Sequence, residues 1–430
     1  MKKRKPRAKH VILISVDGLQ PKYYLDEGWP APAIQQVYRE GAHAVAVRSV
    51  FPALTYPGHT TLVTGALPAR HGIVHNKQFA PVDDPPWLKD ASLIKVPALW
   101  DAVRARGGTT ASVLWPLTAG AAIDWNLPDI WPGGDGDLIA ALRGHDQPRG
   151  FLEELEREAT GRLSPENFNN KWLSHDLRVA LLAEYLFERY RPTLLLVHTQ
   201  TSNQVPQEPD WRNPRRARSV AASDQIVSIL LEVIERTDAW NETAVIVTGD
   251  HGNTEVHTQI RPNVWLAKTG LRGKSLEKGD WRATFHALGG SAFLRVKNDE
   301  DVDAVRRVLD DVPPAIRSLF RIIEREELDL LGADPGAPFA LGLPRLRSRR
   351  PRRPARPPAE RRHEPRPSQR PPRHEHRLRR KGRRHPRRRL RTPAATDRNC
   401  ATRGRAPRTR LRGTGWGGVS GVARGLRRRA

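Results

Sequence analysis

HDLRVALLAEYLFERYRPTLLLVH, residues 175–198, decides the fold. Residues 175–190 carry apolar side chains at helical spacing, and TLLLVH (193–198) is an apolar run with no polar alternation. A helix delivered almost directly into a strand that is apolar on both faces is the repeating unit of a parallel sheet covered by helices. Outward from it, the unit recurs. VILISV (11–16), TASVLW (110–115) and TAVIVTGD (243–250) read as further buried strands. HAVAVRSV (43–50) and GSAFLRV (290–296) read as strands as well. Residues 31–41, 97–107, 217–236 and 301–312 read as helices, and another starts after Pro57 in GHTTLVTG. Residues 118–172 and 252–289 hold Trp, Pro and Gly without periodicity and are expected to be insertions that build a substrate pocket.

The composition separates two kinds of chain. The 430 residues carry a formal net charge of +26. Residues 341–430 hold 32 Lys+Arg against 4 Asp+Glu, a net of +28, while residues 1–340 hold 41 against 43, a net of −2. A near-neutral body thus precedes an extremely basic tail, and nucleic-acid binding is a question for the tail alone. The tail is rich in Arg and Pro and lacks Ile, Phe and Tyr beyond Leu343, so it is expected to be disordered. One cysteine, Cys400, excludes an intrachain disulfide and a Cys-based zinc cluster. The N-terminal apolar run VILISV is shorter than the roughly 7–15 residues of a signal-peptide core. It is also far short of the roughly 20 residues of a membrane span. The expectation is a soluble, cytoplasmic protein without membrane partners.

In parallel sheets the reactive groups gather at the carboxyl ends of the strands. Asp17 ends one predicted strand, His198 a second, and Asp250-His251 a third. Thr55 lies in FPALTYPGHTTLVTG (51–65), just before the predicted helix, where exposed N–H groups and a positive dipole end suit a phosphate. A threonine hydroxyl attacks only if a base or metal draws off its proton. Two carboxylates and an imidazole can hold a divalent metal that does so. Taken singly, each residue reads more readily as a cap or a turn.

In combination, SVDG (15–18), FPALTYPGHTTLVTG (51–65), PARHGIVHN (68–76) and VIVTGDHG (245–252) closely resemble the type I phosphodiesterase/nucleotide pyrophosphatase family of the alkaline phosphatase superfamily. The resemblance runs from about residue 10 to about 340. It implies an alkaline-phosphatase-like three-layer α/β/α fold with a mostly parallel sheet. It further implies that Asp17, Asp250 and His251 hold one catalytic metal, usually zinc, and that Thr55 touches that metal. Thr55 is then the nucleophile that forms a phospho-threonine intermediate, and Asn76 holds a non-bridging phosphoryl oxygen. The implied reaction is hydrolysis of phosphodiester or pyrophosphate bonds in small, nucleotide-like phosphoesters.

The sequence also departs from the family. The Asp and His expected for a second metal fall on Asn203 and Gln207, and amide oxygens are weak, neutral ligands that zinc does not favour. The family's third ligand for that metal, a His in a Gly-rich segment beyond residue 340, has no counterpart. A domain spanning 10–340 that lacks its C-terminal part, followed by a tail at 341–430, fits this pattern. Loss of apolar pattern, of acidic residues and of the motif at one point is what a shifted reading frame produces; a genuine basic extension is the alternative. Three readings stay open: the hydrolase, weakened at its second metal; a non-catalytic homologue that binds phosphorylated ligands; and a phosphomonoesterase or phosphonate hydrolase. His198, Glu208 and Asp210 are near enough in sequence to refill the site. Trp87, Trp115, Trp125 and Trp131 are candidates to stack on a base or aryl group, with ordinary core packing as the plainer reading.

Overall fold

Strand β1 (His10–Val16) shows why the chain forms three layers. Its alternate residues Ile12, Ile14 and Val16 enter one core, and Leu13 between them enters another. In β4 (Leu194–Thr199), Leu195 and Val197 join the first core, while Leu194 and Leu196 join the second. A strand whose side chains are apolar in both directions needs cover on both faces, and each buried aliphatic side chain contributes about 1.5–3 kcal/mol. The first face is covered by helices Pro32–Glu40, Ser174–Tyr190 and Pro214–Arg236. The second is covered by helices Thr55–Thr64 and Leu99–Arg104 through Val63 and Trp100. With β2 (Thr110–Val113), β3 (Trp125–Leu127) and β5 (Thr243–Thr248), the sheet has the order β3-β2-β4-β1-β5, and every pairing is parallel. This computed structural model describes residues 8–82, 85–133, 136–204, 214–254 and 258–344. The basic tail beyond residue 344, expected to be disordered, lies outside the described residues, as do Gln207, Glu208 and Asp210.

A second sheet was not foreseen. β6 (Ala283–Leu288), β7 (Ser291–Val296), β8 (Arg321–Ile323) and β9 (Ala340–Gly342) form an antiparallel sheet of order β6-β7-β9-β8. GSAFLRV is therefore a strand, but of this sheet and not of the parallel one. Its partner β6 comes from the stretch 252–289, which had shown no period. The two strands meet across Gly289-Gly290, with Gly289 at φ +60°, a conformation that favours glycine. Helices Pro262–Lys268 and Glu300–Asp310 pack on this sheet through Leu266, Val305 and Leu309.

Three local expectations are corrected. HAVAVRSV is not a strand: residues 43–50 form no ladder among the described residues, and Val45 and Val47 are 66% and 77% exposed. An alternating sequence needs a neighbouring strand to become one, and none is offered here. β5 is apolar but is an edge strand, with Ile246 48% exposed, so it is not buried on both faces. The helix at 55 begins before Pro57, with Thr55 as its first residue and Leu54 in the capping position. Pro57 fits inside the first turn because the N–H it lacks has no helical partner there.

Buried histidines make the fold acid-sensitive. Burial depresses His59 to about 3, His71 to about 4 and His75 to about 3, all below the ordinary imidazole value. A lowered folded value means that the unfolded chain takes up the proton first. The stabilisation is complete above about pH 6.5 and is lost as pH falls toward the folded values, by about 1.4 kcal/mol per pH unit for each such imidazole. Urea unfolding between pH 7 and pH 4.5 should show a steadily falling midpoint. An unchanged midpoint over that range would contradict this account.

Candidate active site

The register of the parallel sheet brings the strand ends together. Ser15 in β1 pairs with His198 in β4 on one side and with Thr248 in β5 on the other. Asp17, His198 and the Asp250-His251 pair therefore emerge at the same edge from three adjacent strands. One ligand atom each from Asp17, Asp250 and His251 lies within 4.8 Å of the others. His251 Nε2 is 3.4 Å from Asp17 Oδ1 and 3.2 Å from Asp250 Oδ2. Thr55 Oγ1 is 3.3 Å from the same nitrogen. The four residues proposed from sequence thus converge.

The site is braced by the backbone around it. The Gly18 N–H donates to Asp250 Oδ1 at 3.1 Å, which ties the β1 turn to the β5 turn. The Ser49 hydroxyl donates to the Asp250 carbonyl at 2.6 Å, and the Ser202 hydroxyl donates to the Asp17 carbonyl at 2.6 Å. Asn76 accepts the Tyr56 N–H on Oδ1 at 2.9 Å, so its Nδ2 is turned away from that amide. Gly58 is required by contact: a Cβ there would stand 3.0 Å from the Asp250 carbonyl oxygen and 3.2 Å from its Cβ. Gly58→Ala should push the helix Thr55–Thr64 off Asp250 and cost about 1–3 kcal/mol of stability, read as a lower unfolding midpoint.

Electrostatics mark the same place. Burial, reinforced by the Asp250 carboxylate, raises Asp17 to about 6. Burial opposes a charge on His198, but Asp17 outweighs it and raises that imidazole to about 9. Asp17 Oδ1 and Asp250 Oδ2 are buried and accept no hydrogen bond. Two buried carboxylate oxygens without donors, 3.4 and 3.2 Å from one imidazole nitrogen, are what a cation between them would satisfy. The donor set fits a divalent metal, on these atoms rather than on the resemblance alone.

His59 was missed. Four residues after Thr55, it lies one turn further along the same helix face, a spacing that could have exposed it. Fully buried, it donates from Nδ1 to the Thr55 carbonyl at 2.8 Å and approaches Asp250 Oδ2 at 3.7 Å. His198 donates from Nδ1 to the Leu114 carbonyl at 3.0 Å and aims Nε2 at Asp17 Oδ2, 3.7 Å away. Asn203 lies beside this edge, its Oδ1 3.7 Å from the point a Cβ on Gly18 would occupy. Of the four tryptophans, Trp115 is fully buried against His59, and Trp125 stacks on Tyr190; both belong to the core. Trp87 packs beside Thr55's neighbour Tyr56 at 5.7 Å, with Trp131 behind it at 5.9 Å.

Comparison with known proteins agrees with this picture. Residues 11–331 match the model of a family described as type I phosphodiesterase / nucleotide pyrophosphatase. The chain is 25% identical over 250 residues to human ectonucleotide pyrophosphatase/phosphodiesterase family member 5, covering 58% of this chain and 46% of that one. It thus spans less than half the length of that curated relative. Among solved structures, murine ectonucleotide pyrophosphatase/phosphodiesterase 5, as an inactive Thr-to-Ala form in complex with AMP, matches with a TM-score of 0.54 at 21% identity. The match covers 78% of each chain. Phosphonoacetate hydrolase from Sinorhizobium meliloti 1021, in complex with phosphonoacetate, matches with a TM-score of 0.57 at 20% identity over 79% of this chain and 82% of that one. These likenesses show an alkaline-phosphatase-like α/β fold. No helix among the described residues is long and apolar enough to cross a membrane.

Proposed function

The chain belongs to the type I phosphodiesterase/nucleotide pyrophosphatase family, and we propose that it hydrolyses phosphodiester or pyrophosphate bonds of small, nucleotide-like substrates through Thr55. The observation that carries this reading is the 3.3 Å approach of Thr55 Oγ1 to the His251 nitrogen that faces both carboxylates. Asp17, Asp250 and His251 would hold one divalent cation, and zinc suits two carboxylate oxygens and an imidazole. Such an ion supplies charge neutralisation and lowers the pKa of a neighbouring hydroxyl.

The chain's own residues do the rest. The Asn76 bond to the Tyr56 N–H fixes the start of the nucleophile helix and turns the amide so that Nδ2 can donate to a non-bridging phosphoryl oxygen. Oγ1 attacks phosphorus in line with the leaving oxygen; the Thr55 O–P bond forms as the P–O bond to the leaving group breaks. The hydroxyl proton passes to solvent, and water then cleaves the phospho-threonine ester to release phosphate or a phosphomonoester. The AMP and phosphonoacetate bound by the two structural relatives support a small phosphorus-bearing anion as the ligand class. Acid quenching during turnover of bis(p-nitrophenyl) phosphate, followed by peptide mass spectrometry, should find a nitrophenylphosphoryl group on the peptide carrying Thr55, one nitrophenol having left. Turnover without that adduct would refute the mechanism. The Asn203 amide beside Gly18, where the family resemblance expects a carboxylate, favours a second reading, a phospho-ligand binder that does not turn over.

A further inference from the structure

Away from the carboxylates, the loop after Asn76 meets the antiparallel sheet. His75 stacks on His286 of β6 with ring centres 3.7 Å apart. His75 is 5% exposed. Its Nδ1 accepts the Lys77 N–H at 3.1 Å, so in the neutral ring the proton sits on Nε2. That Nε2 is buried and has no hydrogen-bond partner, and the same is true of His286 Nδ1 and of Arg295 Nε. Arg295 is drawn to this place by register: it pairs with Thr284 across β6–β7, which puts it diagonally beside His286 on one face of the sheet. Its terminal nitrogen is bound to Asp334, and its guanidinium lies 5.4 Å from the Phe79 ring.

We propose that His75, His286 and Arg295 form an oxyanion subsite beside Thr55, which receives a second anionic group of the substrate, a phosphate or a carboxylate. The donors decide the sign of the ligand. His75 has given its lone pair to the Lys77 amide, and Arg295 Nε offers only a proton, so neither can hold a metal ion. Lys77 and Arg295 add positive charge around the imidazoles, and Asp334 is already engaged by Arg295. Buried donors without acceptors are costly, and an oxyanion is the kind of acceptor they lack. His286 is only partly buried, so the stack has a side within reach of solvent.

The place adjoins the segment that carries Thr55. His75 precedes Asn76, whose side chain holds the Tyr56 amide. Phe293, the cross-strand partner of His286, packs on Phe51 at 5.6 Å, and Gly289 lies against Leu54. The subsite thus borders the 51–55 loop on the sheet side. Its assignment to substrate rests on the hydrolase reading, whereas anion binding does not.

Two arms test it. Inorganic phosphate titrated into the zinc-supplied full chain at pH 7.5 should shift the ring ¹⁵N signals of His75 and His286 saturably. His75→Phe keeps the stack, and Arg295→Lys keeps a cation for Asp334; each should weaken that response about tenfold or more by removing one donor. In the kinetic arm, either variant should raise KM about tenfold for a nucleoside triphosphate and leave KM for bis(p-nitrophenyl) phosphate unchanged. No saturable shift in a folded protein would overturn the subsite. A shift accompanied by equal KM changes for both substrates, or by none, would overturn its assignment to substrate. Absence of all turnover would count against the hydrolase reading alone, and the phosphate titration would still decide whether the anion site exists.

Discussion

Thr55→Ala is expected to lower phosphodiester turnover by about four orders of magnitude or more while sparing the fold and the affinity for zinc. The loss is large because no other hydroxyl stands where Oγ1 stands, 3.3 Å from His251 Nε2. The fold is spared because Thr55 is the first residue of its helix and not its cap. Leu54 holds the capping position, with no side-chain bond to lose. The neighbouring anchors are independent of the hydroxyl: Tyr56 N–H to Asn76, and His59 to the Thr55 carbonyl. The unfolding midpoint should therefore move by no more than about 0.5 kcal/mol equivalent. Thr55→Ser, which keeps the oxygen, should retain measurable turnover and the trapped phosphoryl adduct. Full activity in Thr55→Ala would remove this residue from the chemistry whatever the state of the metal. A variant that lost activity and melting temperature together would show a structural role instead.

What the sequence made legible follows from how each feature is encoded. β1, β4 and β5 could be read because strands of a covered parallel sheet are unbroken apolar runs, and their polar followers Asp17, His198 and Asp250 mark the ends. Convergence of Asp17, Thr55, Asp250 and His251 was legible only through the family resemblance, since nothing local in a sequence tells which strands lie side by side. HAVAVRSV misled because alternation describes a strand's face and not whether a partner exists for its hydrogen bonds. The antiparallel sheet escaped because β8 and β9 are three-residue strands, too short to show a period. The His75–His286 stack joins residues more than two hundred positions apart, so no window could have revealed it. His59 is different: its spacing from Thr55 carried the information, and only its fully buried position gave that spacing meaning.

The two carboxylates allow a test in which one substitution has unequal effects with and without metal. In metal-free protein Asp17 titrates near 6, raised by burial and by Asp250, against 3.8 as the ordinary value. A raised carboxylate value means that the folded chain binds the proton more tightly than the unfolded one. Asp17 therefore favours the fold below about pH 4, and that contribution is lost as pH rises through about 6. At pH 7.5 the ionised carboxylate is a burden, of order 1–3 kcal/mol. Asp17→Asn removes this charge and nearly keeps the shape, but it also takes from His198 the carboxylate that raises it; the two effects oppose each other, so the metal-free variant should be about as stable as the parent at pH 7.5. Added zinc separates the two. The parent should gain about 2.7 kcal/mol when free zinc stands a hundredfold above its Kd, whereas the variant, with a neutral amide in the donor set, should gain far less. Thermal unfolding of both proteins, with chelator and with zinc, reads all four states. A variant that is less stable than the parent without metal and equally responsive with it would mean that Asp17 is a structural carboxylate and that the cation, if bound, lies elsewhere.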